Sequence, residues 1–365
     1  MTEPSLAASG GEIVRLRMNQ AIAQALHDEM AADDRVVVFG EDVAGAGGVF
    51  KTSVGLRDAF GPERVRDTPI SEMAIAGAAV GAAIAGLRPV VEIMFVEFYG
   101  VALDQVVTQA AKLHYLTGGA VTVPAVFRGS CGSGRGFGAT HSQTLETWFL
   151  ACPGLTVVEA SSPATAYGLL RAAIRSDNPV VFLEPKALYA DRGDVVLGEA
   201  GVLPLGVAGV PRAGTDITVV TLGQMVRRCL AAAALLEPEI DCEVIDLRTL
   251  RPWDRTTVLA SVARTGRLAV VEENPWTGGW GTEIAAAASS ALFGQLQAPV
   301  IRICCPDVPI PHTRDLEARY LPSPEYIAAQ IRHLVTTGTV PRHWWEDDRV
   351  LAGAATVDTA ERRVA

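Results

Sequence analysis

Lysine is nearly missing from this 365-residue chain, standing only at positions 51, 112 and 186. Even with arginine counted, 31 basic residues face 41 acidic ones, a formal net charge of -10. Nonspecific nucleic-acid binding needs a basic field, so this balance excludes it. Long apolar runs are missing too: the most apolar stretch, Met73 to Leu87, is short for a bilayer and consists mostly of Ala and Gly, which argues against a membrane span. The six cysteines are scattered, with Cys304 and Cys305 adjacent, and form no C-x-x-C pair or Cys/His cluster. Neither a zinc site nor a disulfide framework is expected from such spacing. The segment Met1 to Glu12 holds no basic stretch followed by an apolar run, so a reducing cytoplasm is the expected location.

Several catalytic signatures are absent as well. No G-x-S-x-G elbow supports serine hydrolase chemistry. The loop Gly45-Ala46-Gly47-Gly48 lacks the third glycine of a dinucleotide fingerprint, and the glycine-rich loop before His141 has no G-K-[ST] ending. The chain therefore offers no convincing phosphate site of its own.

What is present describes a large-cored globular protein: 49% of residues are hydrophobic and 20% charged, at a length that suits two domains. From Arg15 the pattern alternates. Leu16 to Met30 has helical spacing, and Val36 to Phe39 is a β-branched run suited to a strand buried on both faces. A turn at Asp67-Thr68-Pro69, a cap at Ser71 and an Ala/Gly helix to Gly86 lead into a strand from Pro89 to Phe95. On that helix Gly77, Ala78, Gly81 and Ala85 predict close approach of another backbone. Leu103 to Leu116 reads as a second helix, Val121 to Phe127 as a strand, and Arg128 to Gly138 as a glycine-rich loop leading to His141. Strands follow at Leu155 to Glu159 and Val180 to Leu183, then an irregular stretch from Ala190 to Gly214. The second half restarts with strands at Ile217 to Leu222, Cys242 to Leu247, Leu268 to Glu272 and Val300 to Cys304, and a final helix near Pro324 to Leu334. This alternation predicts an α/β fold of two doubly wound, mainly parallel-sheet domains. The expected limits are an N-terminal arm at 1–14, a first domain at 15–200, a second at 201–335 and a C-terminal extension at 336–365.

Glu72 stands in the first turn of the Ala/Gly helix. It reads either as a carboxylate satisfying the helix dipole or as a catalytic acid at the carboxyl edge of a parallel sheet, where open α/β folds bind ligands. Position alone leaves both open. His141, presented by a flexible glycine-rich loop, is a candidate for proton transfer or substrate contact beside its structural reading. His114, inside an amphipathic helix, reads as structural.

The run Asp67-Thr68-Pro69-Ile70-Ser71-Glu72-Met73 resembles the beta subunit of the thiamine-diphosphate-dependent 2-oxo acid dehydrogenases, the decarboxylating component of the pyruvate and branched-chain complexes. The resemblance extends in order through Phe39-Gly40-Glu41-Asp42-Val43, Gly86-Leu87-Arg88-Pro89, Asp104-Gln105, Phe127-Arg128-Gly129, His141-Ser142-Gln143, Cys152-Pro153-Gly154 and Asp246-Leu247-Arg248-Thr249, and covers roughly Arg15 to Leu334. It implies a pyrimidine-binding domain followed by a transketolase C-terminal domain. It also implies an α2β2 heterotetramer whose alpha subunit supplies the G-D-G…N motif that holds magnesium and diphosphate. This sequence contains no G-D-G.

By the same resemblance, Glu72 hydrogen-bonds the ring nitrogen of the aminopyrimidine and favours its imino tautomer, while Ile70, Met94 and Phe98 surround the ring. His141 matches the histidine beside the reacting thiazolium, which helps steer the acyl group to the lipoyl acyltransferase component. Glu41 matches an acidic residue linking the two active sites. Ala125, Ala173, Ser176 and Asn178 fall where relatives use oxygens for a structural potassium ion. The pattern departs at Gly100-Val101, in the acyl pocket, and in a tail about thirty residues longer than usual. Phe182 to Tyr189 and Pro252-Trp253-Asp254 lean toward the branched-chain branch. The expected function is decarboxylation of pyruvate or a branched-chain 2-oxo acid with acyl transfer to lipoamide. The alternatives are an acetoin-cleaving or ketol-transferring homologue, or a non-catalytic regulatory beta-like subunit.

Overall fold

The computed structural model describes residues 11–346. The tail beyond Glu346 and the first ten residues, on which the expectations of an N-terminal arm and a C-terminal extension largely fall, lie outside them. The first sheet has seven strands in the order Thr249–Arg251, Thr156–Glu159, Val180–Pro185, Val126–Cys131, Arg88–Phe95, Val36–Gly40 and Val65–Asp67. All pairings in it are parallel except that of the edge strand Thr249–Arg251. The second sheet orders Ile301–Cys305, Leu268–Pro275, Ile217–Thr221, Cys242–Asp246 and an antiparallel edge, Gly209–Arg212. A two-stranded antiparallel ribbon pairs Ile13–Arg17 with Arg192–Val196, Ile13 opposite Val196.

The central strands are buried throughout, and Val180–Leu183 and Ile217–Thr221 are unbroken apolar or β-branched runs, as strands covered on both faces require. Helix boundaries follow side-chain chemistry. Ser162 accepts from the Thr165 N–H with Pro163 in the first turn, Asp254 caps Arg255–Thr265, and Ser323 caps Pro324–Thr337, which stops at left-handed Gly338. One apolar core runs through the seam between the sheets, joining Val157 and Leu183 of the first to Leu222, Ile245 and Leu268 of the second.

Several expectations change. The strand read as ending at Phe127 spans Val126–Cys131, and all six of its residues are buried. Arg128 looks like a loop residue in sequence, yet it is held in the core by Glu92 at 3.2 Å and Glu184 at 2.7 Å. The irregular stretch Ala190 to Gly214 contains Arg192–Val196 and Gly209–Arg212. Thr249–Arg251 crosses from the second half to edge the first sheet, and Arg314–Tyr320 is an additional helix. The helix through Leu103 starts at Tyr99 and widens into a π-helical segment at Asp104–Ala110. Ser71 does occupy the cap position of Glu72–Ile84, but its hydroxyl donates to the Pro69 carbonyl instead of capping. On that helix a Cβ at Gly77 would meet the Gln105 amide at 3.1 Å, whereas Gly81 faces open space and Ala78 and Ala85 are exposed, so this chain does not itself supply the close backbone approach expected there.

Candidate active site

Four neighbouring strands, Val65–Asp67, Val36–Gly40, Arg88–Phe95 and Val126–Cys131, run parallel and release their loops at one edge of the sheet. That edge is where a doubly wound fold binds ligands. It collects Glu41 after the second of these strands, Ile70 and Glu72 after the first, Met94 and Phe98 at the end of the third, and His141 beyond the fourth.

Glu72 opens the helix Glu72–Ile84 and is only partly buried. Its carboxylate has no hydrogen-bond partner among the described residues, so a capping role does not consume it. Glu41 is buried close enough to feel it: desolvation first, then the charges of Glu72, Asp42 and Glu92, hold the Glu41 carboxyl above its usual range. His141 is half-buried, its ring edge-on to Phe95 at 4.8 Å and to Phe98 at 5.5 Å. The Thr140 hydroxyl lies 3.0 Å from its Nδ1, which leaves Nε2 as the nitrogen available to a ligand. Met94 is half-buried and its carbonyl accepts from the Ser130 hydroxyl at 2.6 Å. Ile70 is 82% exposed, so no wall of the site within this chain is built by it.

The glycine-rich loop is not the free segment its composition suggests. Gly132, Gly134, Gly136 and Gly138 all have positive φ, from 73° to 97°, a conformation that L side chains rarely adopt. This winding turns backbone N–H groups toward carboxylates of the second sheet's half. Ser133 donates to Glu273 at 2.5 Å, and Gly134 and Gly136 donate to the two oxygens of Glu317 at 2.7 and 3.0 Å. Further on, Gln143 donates its N–H to Glu97 at 2.6 Å.

Buried polar atoms normally find partners. At this edge the Thr68 hydroxyl, one Glu97 oxygen and the Ser142 hydroxyl are buried without one. Together with the unengaged Glu72 carboxylate and the apolar surfaces of Phe98 and Met94, they fit an aminopyrimidine, which brings donors and acceptors on a flat apolar ring. A diphosphate fits poorly here, because Glu41, Asp42, Glu72 and Glu92 make the edge acidic.

Residues Ala125, Ala173, Ser176 and Asn178 lie at the opposite, amino-terminal edge of the sheet. The Ala125 carbonyl accepts from Val180 N–H, the Ala173 carbonyl from Ser176 N–H, and the Ser176 hydroxyl bridges to Asn178. Arg88 donates to the Ile174 and Ser176 carbonyls at 3.0 Å each, so the positive charge at this turn is already supplied by a guanidinium.

Sequence reasoning missed the polar groups behind the edge. Burial pushes the Glu146 carboxyl up to about 7, against the Asn274 amide that favours its charged form. Burial also raises Glu159, helped by the charges of Glu146 and Glu273. Lys186 lies 5.5 Å above the Phe95 ring, has no hydrogen-bond partner and is lowered by burial. Burial against residues distant in the sequence sets each of these groups, and spacing in the sequence carries no trace of it.

Comparison with known proteins shows the family. Residues 15–192 match the model of the transketolase pyrimidine binding domain, and residues 206–327 that of the transketolase C-terminal domain. A mitochondrial pyruvate dehydrogenase E1 component subunit beta from Caenorhabditis elegans is 45% identical over 87% of this chain and 92% of its own length. A 3-methyl-2-oxobutanoate dehydrogenase subunit beta from Mycobacterium tuberculosis is 46% identical over 88% and 93%. The beta subunit of an acetoin:2,6-dichlorophenolindophenol oxidoreductase from Cupriavidus necator is 43% identical over 89% and 98%. A solved split-gene transketolase, an inactive beta4 tetramer, shares the fold with TM-score 0.71 at 23% identity, over 88% of this chain and 99% of its own.

Proposed function

The chain belongs to the transketolase-like family of 2-oxo acid dehydrogenase beta subunits, and from that premise we propose that, paired with an alpha subunit as α2β2, it decarboxylates pyruvate or a branched-chain 2-oxo acid and passes the acyl group to lipoamide. The observation that carries this reading is the unengaged Glu72 carboxylate on the same sheet edge as His141.

Thiamine diphosphate, when bound, supplies the electron sink that loss of carbon dioxide from a 2-oxo acid requires. Glu72 holds a proton at the pyrimidine ring nitrogen. In a cleft closed by a second subunit no water replaces that bond, which strengthens it. Met94 and Phe98 grip the ring's apolar surface. Glu41, its carboxyl held above the usual range by burial and then by the charge of Glu72, lies at the same edge. His141, braced by Phe95, Phe98 and Thr140, offers Nε2 to the acyl group on its way to the lipoyl acyltransferase component. The acidic edge leaves magnesium and diphosphate to the alpha subunit. We place the enzyme in the cytoplasm, in keeping with six free cysteines. No helix of the described residues is long and apolar enough to cross a membrane.

The test is decarboxylation of a panel of 2-oxo acids with an artificial electron acceptor, using this chain copurified with its alpha subunit and supplied with thiamine diphosphate and magnesium. Activity that needs both chains and falls at least a hundredfold in Glu72→Gln supports the reading and ranks the acyl groups. The 43% identity to the acetoin enzyme's subunit favours one further donor, acetoin, which belongs in the same panel. An intact complex silent on every 2-oxo acid overturns the dehydrogenase reading. Turnover unaffected by Glu72→Gln overturns the assigned site.

A further inference from the structure

Behind the aromatic wall of the site, in the seam between the two sheets, lies a separate cleft of about 610 Å³, a size typical of small-molecule pockets. Arg135 reaches it from the glycine-rich loop, Arg228 from the helix Met225–Leu236, and Arg314 from the start of Arg314–Tyr320. Phe50 and Phe137 form its apolar side, with ring centroids 6.4 Å apart.

In a chain with ten more acidic than basic residues, these three guanidinium groups are left without counterions. Arg135 donates to the Lys186 carbonyl at 3.2 Å and Arg228 to the Pro322 carbonyl at 2.9 Å. No carboxylate lies within ion-pair distance of any of the three among the described residues. Glu317 is the one carboxylate in the wall, and its two oxygens accept from Gly134 and Gly136. Seven other arginines are treated differently: Arg64, Arg88, Arg128, Arg171, Arg175, Arg212 and Arg302 each hold an acidic partner. Arg228 is also desolvated, which lowers its proton affinity although the charge of Glu273 opposes the shift. Arg135 and Arg314 are exposed, but for the half-buried Arg228 the lack of a counterion is costly, and an anion entering the cleft relieves that cost.

We propose that this cleft binds an organic phosphate, its anionic group held by Arg135, Arg228 and Arg314 and its apolar or ring portion laid against Phe50 and Phe137. Planar guanidinium groups match phosphate oxygens in paired hydrogen bonds. The volume suits a small molecule and not a polypeptide segment. Phe137 also lies against Phe95, 5.9 Å between centroids, and Phe95 against His141, so occupancy of the cleft is positioned to influence the active-site loop.

The test is equilibrium binding of three probes, adenosine 5'-monophosphate, adenosine and inorganic phosphate, to the complex of this chain with its alpha subunit. Thiamine diphosphate and magnesium are kept saturating so that the cofactor's own diphosphate site is filled. The expected result is one saturable site per chain for the nucleotide, weakened at least tenfold in Arg314→Gln and in Arg228→Gln, with inorganic phosphate binding more weakly at the same site. Arg314 is exposed, so its substitution leaves the fold in place. Phe137→Leu weakens the nucleotide and spares inorganic phosphate. Three outcomes overturn the proposal: no saturable binding of either phosphate at millimolar concentration, binding indifferent to both arginine substitutions, or adenosine binding as tightly as its phosphate. Because the readout is binding, it stands whether or not the complex turns over any 2-oxo acid.

Discussion

Ser133 and Glu273, 140 residues apart, are joined twice: the backbone N–H and the hydroxyl of Ser133 both donate to the same Glu273 oxygen, at 2.5 and 2.6 Å. The second oxygen of Glu273 accepts from Gln224 at 2.5 Å, and a Cβ at Gly132 would sit 3.0 Å from it. A carboxylate of one sheet thus organises the loop that carries His141 from the other. Hydrogen bonds to a charged acceptor contribute more than neutral ones, about 1.5–3 kcal/mol each.

Glu273→Gln removes one of these acceptors and the charge that strengthened both. The expected outcome is faster hydrogen exchange at the amide of Ser133, and lower turnover at nearly unchanged affinity for the 2-oxo acid. Glu317→Gln, which loosens Gly134 and Gly136, gives the same pattern. Exchange rates in either variant equal to those of the parent would show that the loop holds itself.

The α/β alternation and most strand positions were legible because buried parallel strands are written as β-branched runs, Val36 to Phe39 and Ile217 to Leu222 among them. Glu72 was legible as a residue at a helix start, but its free carboxylate was not, since a capping role and an open site look the same in sequence. Arg128 was misread because its two carboxylates arrive from other strands. The short edge strand Thr249–Arg251 escaped notice because its pairing with Val157 and Val158 is nonlocal and its three residues carry no period. The glycine loop was read as flexible from composition, whereas its glycines serve a fixed left-handed winding that Glu273 and Glu317 hold.

Arg128 itself makes a strong stability prediction. It is fully buried, with two hydrogen bonds to Glu184 at 2.7 and 3.1 Å and one to Glu92, while Tyr189 donates to Glu184 and Thr52 to Glu92. Arg128→Met leaves two carboxylates in the core without their cation. The expected loss is about 3–5 kcal/mol, read by urea unfolding. Adding Glu92→Gln and Glu184→Gln recovers part of it. A single variant as stable as the parent would show that the two carboxylates are already protonated.

Gly154 explains in steric terms one of the motifs that marked the family. It has φ +104°, and a Cβ there would fall 1.9 Å from the Ala111 carbonyl oxygen, in a loop packed against the helix Ala111–Leu116. Gly154→Ala combines an unfavourable backbone region with a clash that only backbone movement relieves. A loss of about 2–4 kcal/mol is expected, measured as a fall in the denaturation midpoint. Gly61→Ala is the control: it has a similar positive φ with open space around it, and should cost less.

The last prediction concerns pH. Glu146 and Glu159 are buried together with Cys131, their ligand atoms within 4.8 Å of one another. Burial raises both carboxyls, Glu146 to about 7. In the unfolded chain Glu146 ionises near 4.5, whereas in the folded protein it keeps its proton until about 7. Between those values the unfolded state binds fewer protons, so stability falls as pH rises. The contribution is complete below about 4.5 and has been lost once pH passes about 7, with Glu159 shifting in the same direction. Each unit of displacement corresponds to about 1.4 kcal/mol. Glu146→Gln keeps an acceptor for Asn274, removes the titration and spares Glu159 a like-charged neighbour. Its melting temperature should therefore decline less steeply from pH 5 to pH 7 than that of the parent, and at pH 8 it should equal or exceed the parent's. Parallel profiles for the two proteins would mean that Glu146 is already ionised in the folded state and that Asn274 offsets its burial.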